Sequence, residues 1–290
     1  MSYAPLKCPN TQCRNHSIVG GRFIKKGHFY IKCRNQYVRK FQCRSCSRIF
    51  SSRTFKIDYR HKRLDINLLF VKTLIEGNSI RGISRIIGLT YKNTYNKFLW
   101  FKSLVDVEKE KLQYEAQKLQ VDELETFHHT KCKPLSVVLI VNEKHRLLEA
   151  KVAEMPAKGK LAAFSRKKYG YRKDERKEKL SEALASVRQK LSQPPRLIES
   201  DANPTYPGQF VKYFSDVRFR QYNQSKKEKR RSRLHENLHK REFDPLFAVN
   251  HKCALLRRRI SRLARKTWCT TKKPENLQLH LDLFLVTQPK

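Results

Sequence analysis

The chain has 290 residues, enough to bury a core in one sizeable domain or in two to three small ones. It carries 64 Lys plus Arg against 26 Asp plus Glu, and a formal net charge of +38 exceeds what surface solvation requires and points to a polyanionic partner. The longest apolar run, Leu135–Val141, is too short to span a bilayer, and the opening MSYAPLKCPN has no apolar signal core, so the expected compartment is the cytoplasm or the nucleoid within it, with no membrane partner.

Eight cysteines in an unsecreted, lysine-rich chain argue for metal binding where they cluster rather than for a disulfide framework. With only nine glycines, and neither a GxxxxGK loop nor a GxGxxG turn, the nucleotide-binding enzyme classes lose their usual signature. Cys8 and Cys13, in CPNTQC, and Cys43 and Cys46, in CRSC, are two short pairs that can each supply two thiolates to one tetrahedral zinc. Between them FIKKGHFYIKC and YVRKFQC alternate like the strands of a zinc ribbon over residues 1–56, with structural zinc as its cofactor. Cys33 or His16 could replace one ligand, and a set of buried thiols is the plainer alternative.

From Asp65 the period turns helical. INLLFVKTLIEG predicts a helix ending near Gly77. Ser79 is an N-cap candidate for a second helix burying Ile80, Ile83 and Ile87, Gly88 makes the turn, and Thr90 caps a third helix carrying Lys92, Asn93 and Tyr95. That is a helix-turn-helix over residues 60–104, whose third helix is placed to read a major groove, although an ordinary three-helix unit has the same pattern. Residues 105–118 read as a charged helical linker.

Residues 119–290 open with three strands, LQVDELETF, PLSVVLIVN and HRLLEAKVAEM. They continue through a basic SRKKYGYRK stretch, a helix, the strand RLIESD, a helix near Gln209, the strand VRFRQY, a basic KKEKRRSR loop holding Arg230 and Arg231, and a closing helix from Asp244. Three meandering strands followed by alternating helix and strand is the order of a ribonuclease-H-like domain, so the expected fold class is α/β: a zinc ribbon plus helix-turn-helix followed by a mixed-sheet domain.

In that sheet the strands carrying Asp122 and Asp201 are neighbours, so the two carboxylates would converge on divalent metal. Two magnesium ions suit phosphoryl transfer, one activating the attacking oxygen and the other steadying the leaving one. For Asp201, followed by Ala-Asn-Pro, the plain alternative is a turn former. For Asp122, flanked by Glu123 and Glu125 in so basic a chain, the local acidity is unusual.

The Cys motifs, the helix-turn-helix, VDELETF, ESDANPTY and LRRRISRLARKTW in this order resemble a transposase of the insertion sequence 1 type, along almost the whole chain. The resemblance implies a DDE-type active site that cuts and transfers DNA strands, with double-stranded DNA as partner, both as terminal inverted repeats and as target. Joining two element ends requires at least a dimer. It implies Asp122 and Asp201 as the first two carboxylates, and it puts Asn250 where the family has glutamate. Asparagine offers a carbonyl oxygen but no charge, and Asp244, Glu242 and Glu236 are other acids that could complete the site. Within the closing helix Val249, Cys253, Leu256, Ile260 and Leu263 form an apolar seam that starts after an Asp244–Pro245 cap, and Arg257, Arg258 and Arg262 are expected to point away from it toward DNA phosphates. Cys132 and Cys253 read as core thiols. The competing readings are a non-catalytic DNA-binding regulator, or a domesticated transposase with a degenerate site, and, less well supported, a structure-specific nuclease.

Overall fold

A computed structural model describes residues 5, 7–17, 21–223, 244–264 and 270–288. Arg230, Arg231, Glu236 and Glu242, all singled out above, lie outside the described residues. The chain divides into two compact units, Met1–Leu68 and Leu69–Lys290.

The first unit is a three-stranded antiparallel sheet, β1 (Phe23–Ile31), β2 (Gln36–Cys43) and β3 (Ile49–Ser51), preceded by a single helical turn, α1 (Arg14–Ser17). Its buried apolar set is small, chiefly Val38, Phe41 and Phe50 beside the cysteines. So little buried area cannot by itself offset the entropy of ordering the chain, which is why a cross-link through metal fits here. Asp58 takes both Arg34 and Arg53, tying the segment after β3 back to the ribbon.

The second unit begins with α2 (Asn67–Ile75), α3 (Ile80–Ile86) and α4 (Tyr91–Glu110). The caps are those expected: Ser79 Oγ accepts from Gly82 N–H and Thr90 Oγ1 from Asn93 N–H. Gly77 and Gly88 take positive φ at the two turns. Helix α4 runs unbroken through the first part of the 105–118 segment read as a linker, and beyond it Tyr114 and Ala116 are buried against the sheet.

The sheet follows: β4 (Lys118–Phe127), β5 (Pro134–Asn142), β6 (Leu147–Glu154), then helices α5 (Leu161–Tyr169) and α6 (Arg176–Lys190), β7 (Leu197–Asp201), α7 (Tyr206–Tyr213) and β8 (Arg218–Tyr222). The spatial order is β6-β5-β4-β7-β8, with β4, β5 and β6 antiparallel and β7 and β8 parallel to β4. That is the order and sense of a ribonuclease-H-like sheet, and the fold class is the expected one. One face packs on α6 and α7 and the other on α8 (Phe247–Arg259) and α9 (Pro274–Thr287).

Several expectations at this end differ. The closing helix begins at Phe247, not at Asp244: Asp244 Oδ1 accepts from Leu246 N–H in a turn just ahead of the helix. It stops at Arg259, after which Ser261–Leu263 forms one 3₁₀ turn, yet all five seam residues are buried. Helix α5 was not anticipated within the basic stretch, and α9 was not anticipated at all. Helix α9 buries Leu277, Leu281, Phe284 and Leu285 against the sheet core and Leu279 and Leu283 against the core of α2, α3 and α4.

Where these cores meet, Lys109 Nζ of α4 lies 2.9 Å from Glu149 of β6 and 2.6 Å from Asp282 of α9. Lys190 of α6 approaches Glu149 at 3.5 Å, and Ser186 Oγ donates to Glu149 at 2.6 Å. Glu149 has no solvent exposure. Burial alone would raise its carboxyl, but Lys109, Lys151 and Lys190 outweigh that and keep it below the usual range. Removing one partner of such a buried cluster strands the others: Lys109→Met should destabilise the second unit by about 3 kcal/mol, read as a shifted urea midpoint with unchanged slope. An unshifted midpoint would show the cluster contributes nothing net.

Candidate active site

Strand β4 alternates. Leu119 and Val121 face the α6–α7 side, while Gln120, Asp122 and Leu124 face the side covered by α8. The parallel register runs Gln120↔Glu199 and Val121↔Ser200, so the next positions on the two strands are Asp122 and Asp201. Both are half-buried. Adjacent strands are about 4.8 Å apart, so the two sequence-predicted aspartates are side by side on one face. Burial first, then the charges of Glu123, Asp122 and Asp201, raise the Tyr206 hydroxyl well above its ordinary range.

The other two acids of VDELETF leave this face. Glu123 accepts from Ser136 Oγ at 2.7 Å and from Tyr206 Oη at 3.4 Å on the opposite side, and Glu125 pairs with Lys158 at 2.9 Å. After Asp201 the chain turns, with Gln221 Nε2 donating to the carbonyls of Asp201 and Asn203, each at 3.1 Å. Asp201 Oδ1 accepts a long 3.4 Å bond from Asn203 N–H, which is a weak turn contact.

Helix α8 lies over this face. At about 100° per residue, Val249, Cys253 and Leu256 point to the sheet. Lys252 falls to one side, its Nζ 5.8 Å from the centre of the Phe284 ring of α9. Asn250 and Arg257 fall on the other flank, away from α9 and toward β4 and β7. Burial first, then the charge of Asp122, pushes the Cys253 thiol up to about 12, which sets that thiol near the carboxylate. It is the core thiol expected, as is buried Cys132.

Asn250 Nδ2 donates to Asp244 Oδ2 at 2.7 Å. Because a carboxylate only accepts, this bond fixes which end of the amide is which and leaves Oδ1 as the free-ended acceptor. Asp244 is 6% exposed and also holds Leu246 N–H.

Two residues that sequence reasoning passed over organise the site. Gln120 Nε2 donates to Glu199 Oε2 at 3.0 Å and to the Pro245 carbonyl at 2.7 Å, while its Oε1 accepts from Val249 N–H at 3.1 Å. Glu199 in turn takes Tyr222 Oη at 2.8 Å and an ion pair from Lys118. The available signal was period two: each lies two positions before an aspartate, on the same strand face.

The basic residues divide. Lys92 and Asn93 are exposed on the first turn of α4, and Arg258 is exposed on α8. Tyr95 is half-buried, with its hydroxyl shared with the Asn276 side chain. Arg262, expected to face phosphate, instead turns inward with its guanidinium 5.5 Å from the Phe98 ring centre, where burial lowers its affinity for a proton. Ile260 ends α8, so the next turn no longer follows the helix's outward face.

In the first unit the four sulfurs of Cys8, Cys13, Cys43 and Cys46 lie within 4.8 Å of one another, with Cys8 and Cys46 at 3.5 Å and Cys13 and Cys43 at 3.8 Å. Bonds of about 2.3 Å to a tetrahedral zinc put sulfurs roughly 3.8 Å apart, so the set fits zinc. Burial raises the Cys43 thiol, but the N–H groups of Cys46 and Ser45 and the Asn15 amide outweigh it and bring it to about 6. Cys33 is exposed, and His16 gives its Nδ1 to the Cys8 carbonyl, so neither joins the set.

No family model matches the chain, and no curated protein matches it. Among solved structures, a cryo-electron microscopy structure of the simian T-cell lymphotropic virus intasome in complex with PP2A regulatory subunit B56 gamma aligns at 14% identity, over 76% of this chain and 73% of that chain, with a TM-score of 0.23. A likeness that low carries no argument about fold or function.

Elemental analysis of purified protein should find one zinc per chain, and Cys13→Ser or Cys43→Ser should remove it together with the dispersed amide signals of residues 21–52. Zinc retained by both variants would contradict the ligand set. Gln120→Leu should cost about 1–3 kcal/mol by leaving Val249 N–H and Glu199 without their partner, measured by urea unfolding. An unchanged midpoint would mean that α8 docks without it.

Proposed function

We propose that this chain is a DNA transposase that binds the terminal inverted repeats of its element and cleaves and transfers DNA strands in a magnesium-dependent reaction. The observation that carries the reading is the placement of Asp122 and Asp201 one position beyond the last paired residues of the parallel strands β4 and β7, Asp122 in mid-strand and Asp201 at the carboxyl end of β7, beneath a helix whose periodicity puts Asn250 and Arg257 on one flank. Two carboxylates and an amide oxygen are hard oxygen donors, the set magnesium prefers.

Asp122 and Asp201 would hold the ions, with Asn250 Oδ1 as the third protein ligand. When bound, the two ions supply an activated attacking oxygen and a stabilised leaving oxygen for in-line displacement at phosphorus. The chain's own part is to hold these oxygens on a rigid sheet and to offset phosphate charge with Arg257 and Arg258. Lys92 and Asn93, exposed at the start of α4, support contact with a DNA groove. Tyr95, anchored to Asn276, would set the angle of that helix rather than read bases. Synapsis of two ends would require at least a dimer.

One observation favours a second reading, a DNA-binding regulator with a degenerate site: the Asn250 amide is engaged by Asp244. The two readings separate in a cleavage assay on DNA carrying the element's terminal repeats, with magnesium or manganese. The transposase nicks it, and Asp122→Ala and Asp201→Ala abolish nicking. Asn250→Ala lowers the rate about 10- to 100-fold, as loss of a metal-site partner does. Asn250→Glu combined with Asp244→Asn, which avoids opposing two carboxylates, keeps or raises it. Equal cleavage by the aspartate variants would remove Asp122 and Asp201 from the chemistry, and absence of cleavage by the parent protein would favour the regulator.

A further inference from the structure

At the other end of β4 a cavity of about 810 Å³ is walled by the β5–β6 hairpin, the segment before β4, and the facing sides of α8 and α9. Its charged lining is one-sided: Lys144, Arg146, Lys252 and Arg259 against the single acid Glu115, which is exposed, with His145, whose burial lowers its affinity for a proton, beside them. Arg259 has a carboxylate, Glu76 at 3.4 Å.

Two of the others do not. Lys252 is 6% exposed and sits over the Phe284 ring, yet its ammonium has no hydrogen bond or ion pair among the described residues. Burial, and then the charge of Arg259, hold it below the ordinary lysine range. Arg146 rests over the Tyr114 ring at 5.5 Å, and its Nε is buried without a partner. The hairpin holds it there: Asn142 Oδ1 accepts from the N–H groups of Lys144 and Arg146, at 3.1 and 2.8 Å.

The contrast with the buried lysines nearby is informative. Lys109 and Lys190 each face Glu149, whereas Lys252 and Arg146 face open space. A buried cation without a counter-charge is costly, and the buried Lys252, with the half-buried Arg146 in the same cavity, would be completed by an anion from outside. A guanidinium fork and a lysine ammonium converging on one space suit phosphate oxygens. The volume exceeds one phosphate and is the size of a nucleotide site.

We propose that this cavity is a phosphate-binding site, held by Arg146 and Lys252 with Lys144 at its rim, that takes either a free oligophosphate such as a nucleotide or a phosphate group of a DNA strand. It goes beyond the transposase reading and does not depend on it. The cavity lies at the Leu119–Asn142 end of the β4–β5 pair, with Asp122 three residues further along β4.

The test is calorimetric titration of the full chain with inorganic pyrophosphate, without added divalent metal, so that cleavage chemistry plays no part. The parent protein and Lys177→Met, a control at an exposed lysine of α6, should bind alike. Lys252→Met and Arg146→Gln should each bind about 10- to 100-fold more weakly, the loss of one charge-assisted bond. Melting temperatures establish that the variants are folded, and if Arg146→Gln is not, Lys252→Met decides alone. A short DNA duplex added as competitor tells the sources apart: displacement of pyrophosphate, together with weaker duplex binding by Lys252→Met, assigns the phosphate to DNA, and absence of competition assigns it to a free ligand. Equal pyrophosphate affinity in all four proteins, or no binding by the parent, overturns the proposal.

Discussion

The side chain on which the candidate site depends is Gln120. One amide spans three elements: it belongs to β4, donates to Glu199 of β7 and to the Pro245 carbonyl, and accepts from Val249 N–H in the first turn of α8. A buried amide has two donors and two acceptor positions, and here it satisfies groups that would otherwise be stranded at a helix start. Hydrophobic contact between the α8 seam and Leu124 or Leu139 is not directional and would tolerate a slide. The hydrogen bonds do not. They set the height of α8 along β4 and thus the level at which Cys253 lies beside Asp122.

A second constraint joins helices α2 to α4 to the sheet. Helix α9 is covered on both sides, by the sheet core and by the core of Phe70, Ile83, Phe98 and Phe101. Lys109, Glu149 and Asp282 lock the contact with charge. Buried ion clusters contribute little net stability, since desolvation offsets most of the attraction, but they penalise every other alignment. Arg262, drawn in over Phe98, adds to the same joint. A helix presenting Lys92 and Asn93 is thereby fixed relative to the strands presenting the aspartates. Under the transposase reading, that rigidity would hold the phosphate to be cut at a set distance from the groove being read.

Much of this was legible in the sequence where one periodicity applied. Pro134–Asn142 reads as a strand and is one, Ser79 and Thr90 read as caps and are caps, and the two cysteine pairs converge at zinc spacing. Asp122 and Asp201 follow from strand order, because parallel neighbours in a known order bring like positions together. What escaped was governed by tertiary surroundings. In α9, Leu277, Leu279, Leu281, Leu283 and Leu285 alternate like a strand, and nothing local reveals a helix buried all round between two cores. The start of α8 was misread because an aspartate before proline looks like an N-cap, while the Asp244 side chain serves a turn ahead of the helix. Gln120 and Glu199 escaped because a polar residue inside a strand identifies no partner until the strands are paired.

Asn250 is then less of an anomaly than its place opposite two aspartates suggests. Asp244 is a nearly buried carboxyl group, and burying one is costly unless donors meet its oxygens. Leu246 N–H and the Asn250 amide are two such donors. A glutamate at 250 would set two carboxylates face to face, and one would have to take up a proton or turn away. With asparagine, the carboxyl group is that of Asp244, in the turn ahead of α8, and the amide that donates to it has its own carbonyl oxygen polarised by the bond. An acceptor polarised in this way is a better metal ligand than an isolated amide, though a weaker one than a carboxylate. Asp244 and Asn250 are therefore joined in one hydrogen-bonded unit, and under the transposase reading the third position of the site would be that pair.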